Sequence, residues 1–513
     1  MQNIEINAQF QRALDVMEKT GRSIFITGRA GTGKSTLLEY FRGITNKKVV
    51  VLAPTGVAAL NIKGQTIHSF FGFRPDITPL KVKRIEKDGS LFKKLDILVI
   101  DEISMVRADL LDCVDHFLRL NGPASHKPFG GIQMVFVGDL YQLPPVVTSR
   151  EKAVFSELYQ TPYFFSSHAF RNFDMEFLEL EKVYRQHDQR FIELLNAIRN
   201  NSIDDHGLGL LNTRYLPEHD PSGSGFSLRL TTTNAMAADL NARELAKLKG
   251  KLHTFKAARD GKFSDDSLPT SEELMVKAGA QVMMLNNDSF GRWVNGSMGR
   301  IVGFKKGEDG GPCINVQLAD GENVKVEPYT WEIFNYKFEG REIKSEVVGT
   351  FTQYPLMLAW AVTIHKSQGK TFERVVVDIG RGTFAHGQMY VALSRCTSLE
   401  GIVLKQPIAK KHIWMDWRVV QFVTRYQYGK AEEALPAGDK EKLILKAIGE
   451  GGKLCITYLK PNDEKSVRVI KPLQVGDFTY GGKVFHGLRA FCLKRGEERN
   501  FRIDRILEVV EQG

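Results

Sequence analysis

The chain has 513 residues, 42% of them hydrophobic, with a net charge of +10, enough for roughly three or four domains of ~100–200 residues. No apolar run reaches the ~18 residues of a membrane span, and the opening MQNIEINAQFQ lacks the basic and apolar regions of a signal peptide. The cysteines (Cys113, Cys313, Cys396, Cys455, Cys492) lie far apart and form no Cys-x-x-Cys, which argues against a disulfide framework or zinc site and for a reducing cytoplasm.

In chain order, residues 7–20 read as an amphipathic helix. Ser23–Thr27 is a short apolar strand, followed by a Gly-rich turn and a helix over Ser35–Gly43. Lys48–Pro54, Leu95–Glu102 and Ile132–Asp139 read as further buried strands. Strands alternating with helices imply an α/β fold with a parallel sheet covered on both faces. Residues 171–290 alternate again, with a helix at Phe191–Asn200, a strand at Phe226–Asn234 and a helix at Ala235–Leu248. From Gly299 to Thr352 the chain is Gly-rich with short alternating stretches, which predicts a small antiparallel barrel. The α/β texture resumes at Leu358–Gly380. A polar linker, Gly429–Lys442, precedes a last β-rich unit.

GRAGTGKS (Gly28–Ser35) fits G-x-x-x-x-G-K-[ST] between a strand and a helix. Its glycines let backbone N–H groups wrap phosphates, and the helix adds its positive end. Lys34 would reach the β- and γ-phosphates of ATP, and Ser35 would ligate Mg²⁺. Asp101, closing a buried strand, would also hold Mg²⁺, and Glu102 beside it can take a proton from the attacking water. Gln142, in the turn LYQLPP, follows a strand expected to neighbour that of Asp101. A glutamine there can bond both γ-phosphate and water without competing as a base. Arg185 (EKVYRQ) and Arg395 (YVALSRC) belong to the second α/β region, and each can stabilise transition-state charge only when the two domains close. Taken alone, each arginine would read as a surface residue. The positive charge favours a polyanionic partner, because neutralised phosphates release counterions; a merely basic surface is the alternative.

The ordered series GRAGTGKS, APTGVAA, GQTIHSFFGF, IDEISM, PFGGIQMVFVGDLYQLPPV, VYRQ, TIHKSQGKTF and QMYVALSRC resembles the Pif (petite integration frequency) helicases of superfamily 1B, over roughly residues 1–425. The resemblance implies two RecA-like P-loop domains. Domain 1A would span residues 1–170, with a 1B element near 68–90. Domain 2A would span 171–298 and 353–428, and a 2B barrel 299–352. Val106–Leu120 occupies the place of the family's signature helix. The implied activity is ATP-driven 5′-to-3′ movement on single-stranded DNA with unwinding, work of the kind done in DNA replication, repair and telomere maintenance. Arg185 and Arg395 would be arginine fingers and Gln142 the γ-phosphate sensor, completing a catalytic set with Lys34 and Glu102. Gln9 and Gln11 are alternative adenine readers. Gly28, Ala30, Gly31, Thr32, Gly33 and Thr36 would line the phosphates, with Gln368 and Gly369 facing the nucleotide from the second domain. Pro54, Thr55, His68 and Phe70 would touch DNA from 1A, and Asn234, Thr363, His365 and Lys366 from 2A. Single strands are held by a basic groove plus aromatic faces. His68, Phe70, Phe71 and Phe73 offer such faces, although the phenylalanines suit a core equally well, and His365 also suits a buried structural role.

Residues 443–513, after the 429–442 linker, resemble a WYL domain, a small Sm-like β-barrel of bacterial regulators. RNFRIDRI matches best, and His486-Gly487-Leu488 stands where the naming tripeptide would be. Arg468, Arg499, Arg502 and Arg505 could form one phosphate or nucleic-acid site; a solvated barrel face is the alternative. The expected whole is a monomeric helicase of the bacterial cytoplasm, nucleoid-associated, with no membrane partner. Its cofactors would be ATP and Mg²⁺, and its partners single-stranded DNA and 5′-tailed duplex, with G-quadruplexes or R-loops as further candidates. The rivals are a DNA-stimulated ATPase switch or remodeller that does not unwind, and a WYL ligand-gated regulator.

Overall fold

The computed structural model describes residues 5–512 apart from 75, 86–89, 148–150, 172, 219–225, 262, 264, 266–267, 307–311 and 340–341. Its contacts separate two units, residues 1–198 with 203–414, and residues 199–202 with 415–513. Among the described residues no helix is long and apolar enough to cross a membrane.

The first unit begins with α1 (Ala8–Lys19), β1 (Ile24–Gly28), α2 (Lys34–Ile44), β2 (Val49–Ala53), α3 (Gly56–Asn61), β3 (Gln65–Thr66), α4 (Ile67–Phe71), α5 (Ser90–Lys94), β4 (Ile97–Ile100), α6 (Ala108–Asn121), β5 (Gln133–Val137), α7 (Lys152–Leu158) and β6 (Glu176–Leu180). The six strands form one parallel sheet in the order β3-β2-β4-β5-β1-β6. β1, β4 and β5 are buried along their whole length because helices cover both faces, which is why they read as continuous apolar runs. On one face Ile26, Val99 and Val135 meet Phe10, Leu14 and Met17 of α1 and Leu37, Leu38 and Phe41 of α2. Each such side chain contributes about 1.5–3 kcal/mol on burial. Asn7 caps α1 by accepting from the Phe10 N–H at 2.9 Å. The boundary expected at residue 170 falls short, because β6 pairs in parallel with β1 from Glu176 to Leu180 and closes the sheet.

The chain continues through α8 (Gln189–Arg199), α9 (Asp205–Asn212), β7 (Leu228–Thr231) and α10 (Asn234–Lys247). An antiparallel insertion follows, with β8 (His253–Lys256), β9 (Ala258–Gly261), β10 (Glu273–Val276), β11 (Gln281–Met284), β12 (Met298–Lys306), β13 (Pro312–Leu318), β14 (Asn323–Val326), β15 (Tyr329–Glu339), β16 (Glu342–Gln353) and β17 (Leu356–Leu358). It therefore starts at His253 rather than Gly299. β9 is exposed at all four positions, and β8 alternates over only four residues without burying any of them fully, so neither is long or apolar enough to stand out in the sequence. The strands form three ladders, β14-β13-β12-β11-β17, β15-β16-β9 and β10-β8, rather than one continuous barrel ladder among the described residues. The chain then completes a second parallel sheet with β18 (Ala361–Thr363), β19 (Val375–Asp378), α11 (Gln388–Ser394) and β20 (Ile402–Leu404), in the order β18-β7-β19-β20.

The second unit contains α12 (Trp417–Ala434), α13 (Ala437–Glu450), β21 (Lys453–Leu459), β22 (Lys465–Tyr480), β23 (Lys483–Cys492), β24 (Glu497–Arg502) and β25 (Ile506–Gln512). Its strands make an antiparallel sheet ordered β24-β23-β22-β21-β25. Residues 429–442, expected as a polar linker, are almost wholly helical. Ala, Glu and Lys are strong helix formers, and Ala431, Lys440, Ile444 and Ala447 give the two helices buried faces. Only Leu435 and Pro436 separate them.

Candidate nucleotide site and nucleic-acid face

A cavity of about 700 Å³ opens where the two parallel sheets of the first unit face each other. From the first come Ala30, Gly31, Thr32 and Gly33 of the loop between β1 and α2, Lys34, Ser35 and Thr36 of the first turn of α2, then Glu102 and Gln142; the segment between β6 and α8 gives Arg185, and the second sheet gives Gly369, Thr371 and Arg395. The loop's shape depends on glycine. Gly31 and Gly33 have φ of 81° and 82°, and a Cβ on Gly31 would lie 2.5 Å from Arg185 Cβ. Lys34 Nζ donates to the carbonyls of Gly28 (2.8 Å) and Arg29 (3.0 Å). The Ala30 N–H donates to the Tyr390 hydroxyl of α11 at 2.9 Å, tying the loop to the second sheet.

Asp101 and Glu102 follow β4. Burial, and then its neighbour Glu102, push the Asp101 carboxyl up to about 7; burial also raises Glu102. Glu102 holds a left-handed backbone, φ 49°, a conformation that costs a non-glycine residue energy and recurs at functional sites. Two adjoining buried acids call for a cation. Carboxylate and hydroxyl oxygens, from Asp101 and the exposed Ser35, are the donors that a hard ion such as Mg²⁺ takes.

Gln142 is 6% exposed and donates from Nε2 to Asp139 Oδ2 at 3.2 Å. Its turn is gripped from the second sheet. His386 Nε2 lies 3.0 Å from the Leu140 carbonyl. A Cβ on Gly387 would meet the carbonyl oxygens of Tyr141 and Gln142 at 2.3 Å. Arg395 is 1% exposed, with Nε donating to Val391 O (3.0 Å) and a terminal nitrogen to Ser394 Oγ (3.1 Å). Burial and then the nearby Arg185 hold its pKa down to about 9. Arg185 donates to Ser394 O at 3.2 Å, so both arginines converge on the end of α11.

Some expected residues take other positions. Gln9 does not line the cavity; its Oε1 accepts from the Glu181 N–H at 3.0 Å. Gln11 donates to Asp15. Gly28 acts through its carbonyl on Lys34. Gln368 does not line the cavity either, but its buried Nε2 has no hydrogen-bond partner. Sequence reasoning missed Phe10 and Tyr184 in the cavity wall, and Tyr390 and His386, whose roles appear only when two distant segments meet.

The expected DNA residues stand at the strand ends. Thr55 caps α3, its hydroxyl accepting from Ala58 N–H at 3.3 Å, with Pro54 before it. Asn234 opens α10, exposed, after β7, and Lys366 is exposed after the neighbouring β18. Thr363 is 3% exposed and accepts from the Lys366 N–H, so it braces the turn rather than presenting a hydroxyl. Burial lowers the pKa of His68 and of His365. Phe71 and Phe73 are core, packed with Phe92 and Phe117, while Phe70 stays half-buried against Phe71 and Phe92. An exposed aromatic that sequence reasoning missed is Phe384, 60% accessible, its ring within 14° of parallel to His365 at 6.4 Å.

In the second unit Arg468 does not join the other arginines. It is 8% exposed and bonds Ser466 Oγ (3.2 Å) and Cys492 Sγ (3.7 Å). Arg502 forms a two-pronged pair with Asp504, and Arg499 lies 3.6 Å from Glu497. His486 sits between Asp477 (3.0 Å) and Glu441 (3.3 Å).

Residues 3–207 match the family described as PIF1-like helicase, and residues 441–511 match the WYL domain. The chain is 37% identical to the ATP-dependent DNA helicase PIF1 of Homo sapiens over 80% of its own length and 62% of that relative's. It spans 62–66% of the length of the first curated relatives. A crystal structure of Bacteroides sp Pif1 in complex with ADP-AlF4 is 36% identical, with a TM-score of 0.76, over 83% of this chain and 98% of that one. A Pif1 helicase from Bacteroides in complex with ADP-AlF3 and ssDNA is 36% identical, with a TM-score of 0.61 over the same shares. An unbroken series of motifs, two parallel sheets around one cavity and this degree of identity agree: the chain belongs to the PIF1-like helicase family.

Proposed function

We propose that this chain is an ATP-dependent DNA helicase that moves 5′-to-3′ along single-stranded DNA and parts the duplex ahead of it. The observation that carries the reading is the cavity shared by Lys34, Glu102 and Gln142 from one sheet, Arg395 from the other and Arg185 from the segment that joins them. An ATPase whose transition-state charge is met from both sides turns over only when the sheets approach, which links hydrolysis to movement. The relatives' names and the Bacteroides complexes support nucleotide and single-stranded DNA as ligands.

In this reading Lys34 leaves the Gly28 and Arg29 carbonyls for the β- and γ-phosphates. Ser35 and Asp101 would hold Mg²⁺, which when bound neutralises phosphate charge. Glu102, its pKa raised by burial, takes the proton of the attacking water, and Gln142 orients that water. Arg185 and Arg395 meet the charge that develops on the transferred group. Thr55, Asn234 and Lys366 would hold the strand's backbone, and Phe384 offers a stacking face. We place this activity in a bacterial cytoplasm, on the nucleoid, with the protein acting as a monomer on 5′-tailed duplexes and on folded DNA such as G-quadruplexes or R-loops.

Strand separation on matched 5′-tailed and 3′-tailed duplexes tests the reading. Unwinding of the 5′-tailed substrate alone is expected. Unwinding only from 3′ tails would overturn the polarity, and DNA-stimulated hydrolysis without unwinding would leave a remodeller.

A further inference from the structure

Arg395 reaches beyond its own helix at one more point, where a terminal nitrogen faces the Lys370 carbonyl at 3.4 Å. Lys370 directly follows Gly369 of the cavity wall. Its side chain runs beside Gly296, where an added Cβ would lie 3.6 Å from Lys370 Cβ. Its ammonium donates to Asn295 Oδ1. Asn295 in turn donates from Nδ2 to Asn61 Oδ1 at 3.1 Å. Asn61 is the last residue of α3, the helix capped by Thr55. Three polar side chains thus join the arginine's neighbour, the insertion and the helix that starts at the expected DNA face.

The middle link is stiff. Asn295 sits in the loop joining β11 to β12, and its N–H donates to Asn287 Oδ1 at 2.8 Å. In the same loop Trp293 Nε1 donates to Asn286 Oδ1 at 3.0 Å, and Arg292 grips Asp288 with two bonds of 2.7 and 2.9 Å. A loop braced this way moves as a piece. The end link is unusual in a different respect. Burial holds the Lys370 ammonium down to about 8, and the hydrogen bond it donates goes to a neutral amide rather than a carboxylate. A half-buried cation with a neutral partner is costly to keep.

We propose that Lys370 and Asn295 are positioning residues, which pass a displacement of α3 through the β11–β12 loop to the backbone that holds Arg395. The inference rests on the reading of the chain as a DNA-stimulated ATPase and supplies a physical route for the stimulation. Neither residue touches nucleotide in this scheme; each acts through the place it gives the arginine.

The test uses the full chain with Lys370→Met, which keeps the aliphatic length and removes the ammonium, with Asn295→Ala, and with the double variant. Turnover is measured without DNA and with saturating oligothymidine, together with KM for ATP, affinity for the same oligonucleotide, and the melting temperature. DNA-free turnover, KM and DNA affinity should each stay within about threefold of wild type. Stimulation of kcat by DNA should drop about tenfold in each single variant, within the usual range of coupling between sites. The double variant should be no worse than the weaker single, because both cut one chain of contacts. Undiminished stimulation in either single variant, or losses that multiply in the double, overturns the proposal. A variant that loses stimulation only in step with its melting temperature and DNA affinity also overturns it, since that pattern marks a merely structural role. If the wild type itself shows no stimulation by DNA, the helicase reading falls together with the route. If the wild type is stimulated and both variants match it, the route alone falls.

Discussion

At the scale of single residues, the two arginines separate by what else they hold. Arg395 is buried and bonds Val391 O, Ser394 Oγ and Lys370 O, whereas Arg185 has one bond, to Ser394 O. Each alanine variant should lower kcat on the order of 10³-fold, the worth of an arginine finger. Arg395→Ala should also cost stability, about 1–3 kcal/mol for the polar groups left unsatisfied, so its melting temperature should fall further than that of Arg185→Ala. Equal melting temperatures would refute that division. Glu102→Gln keeps the shape of the side chain and loses the base. Turnover should fall about 10²–10⁴-fold with ATP binding retained, as single-turnover and equilibrium-binding measurements would report. Phe384→Ala should weaken single-stranded DNA binding by about 1–3 kcal/mol, the worth of one stacked base. The dependence of affinity on salt should not change, because no phosphate contact is lost. Lys366→Ala, by contrast, should lower the salt slope by about one ion. A salt series on both variants distinguishes stacking from charge.

At the scale of elements, the turn carrying Gln142 and the start of α11 meet backbone to backbone. Gly387 has φ 71°, and an added Cβ would lie 2.3 Å from two carbonyl oxygens of that turn. No rotation of a side chain relieves a clash with backbone, so Gly387→Ala must push the segments apart. Hydrolysis should fall at least about tenfold, since a shift near 1 Å can cost 10²-fold in rate, and the protein should melt at a lower temperature. Wild-type activity in this variant would show that the turn and α11 are not held in register by that contact. The motif that ends QLPP was legible as a turn after a buried strand, and it does line the cavity through Gln142. Its grip by His386 and Gly387 was not, because their segment lies more than 240 positions along the chain and nothing local in AHGQ marks a partner.

At the scale of the whole molecule, the polar stretch 429–442 is not a place to cut. A chain ending at residue 429 would strip the cover from Val419, Val420, Val423 and Gln427 of α12, which pack within the second unit. A chain ending at Trp414 removes α12 with the rest. The shorter chain should therefore stay soluble and hydrolyse ATP at a rate close to the full protein's, while the longer one should aggregate or show an early, broad melting transition. Size-exclusion chromatography and calorimetry on the two truncations check this directly.

What the sequence determined by itself was whatever depends on short-range order. The loop Gly28–Ser35 between strand and helix, the acids at the end of β4, and the continuous apolar runs of β1, β4 and β5 are local patterns imposed by phosphate geometry and two-sided burial. Tertiary structure decided everything that depends on which segments become neighbours. It made Phe71 and Phe73 core and left Phe384 exposed, a difference that residue type alone does not mark. It turned Arg468 inward while Arg499 and Arg502 found acidic neighbours on the surface. It also moved the start of the insertion back to His253, because strands as short and exposed as β8 and β9 gain their stability from cross-strand partners rather than from their own pattern. Local chemistry is written in consecutive residues, whereas burial is a property of the neighbours that only the folded chain supplies.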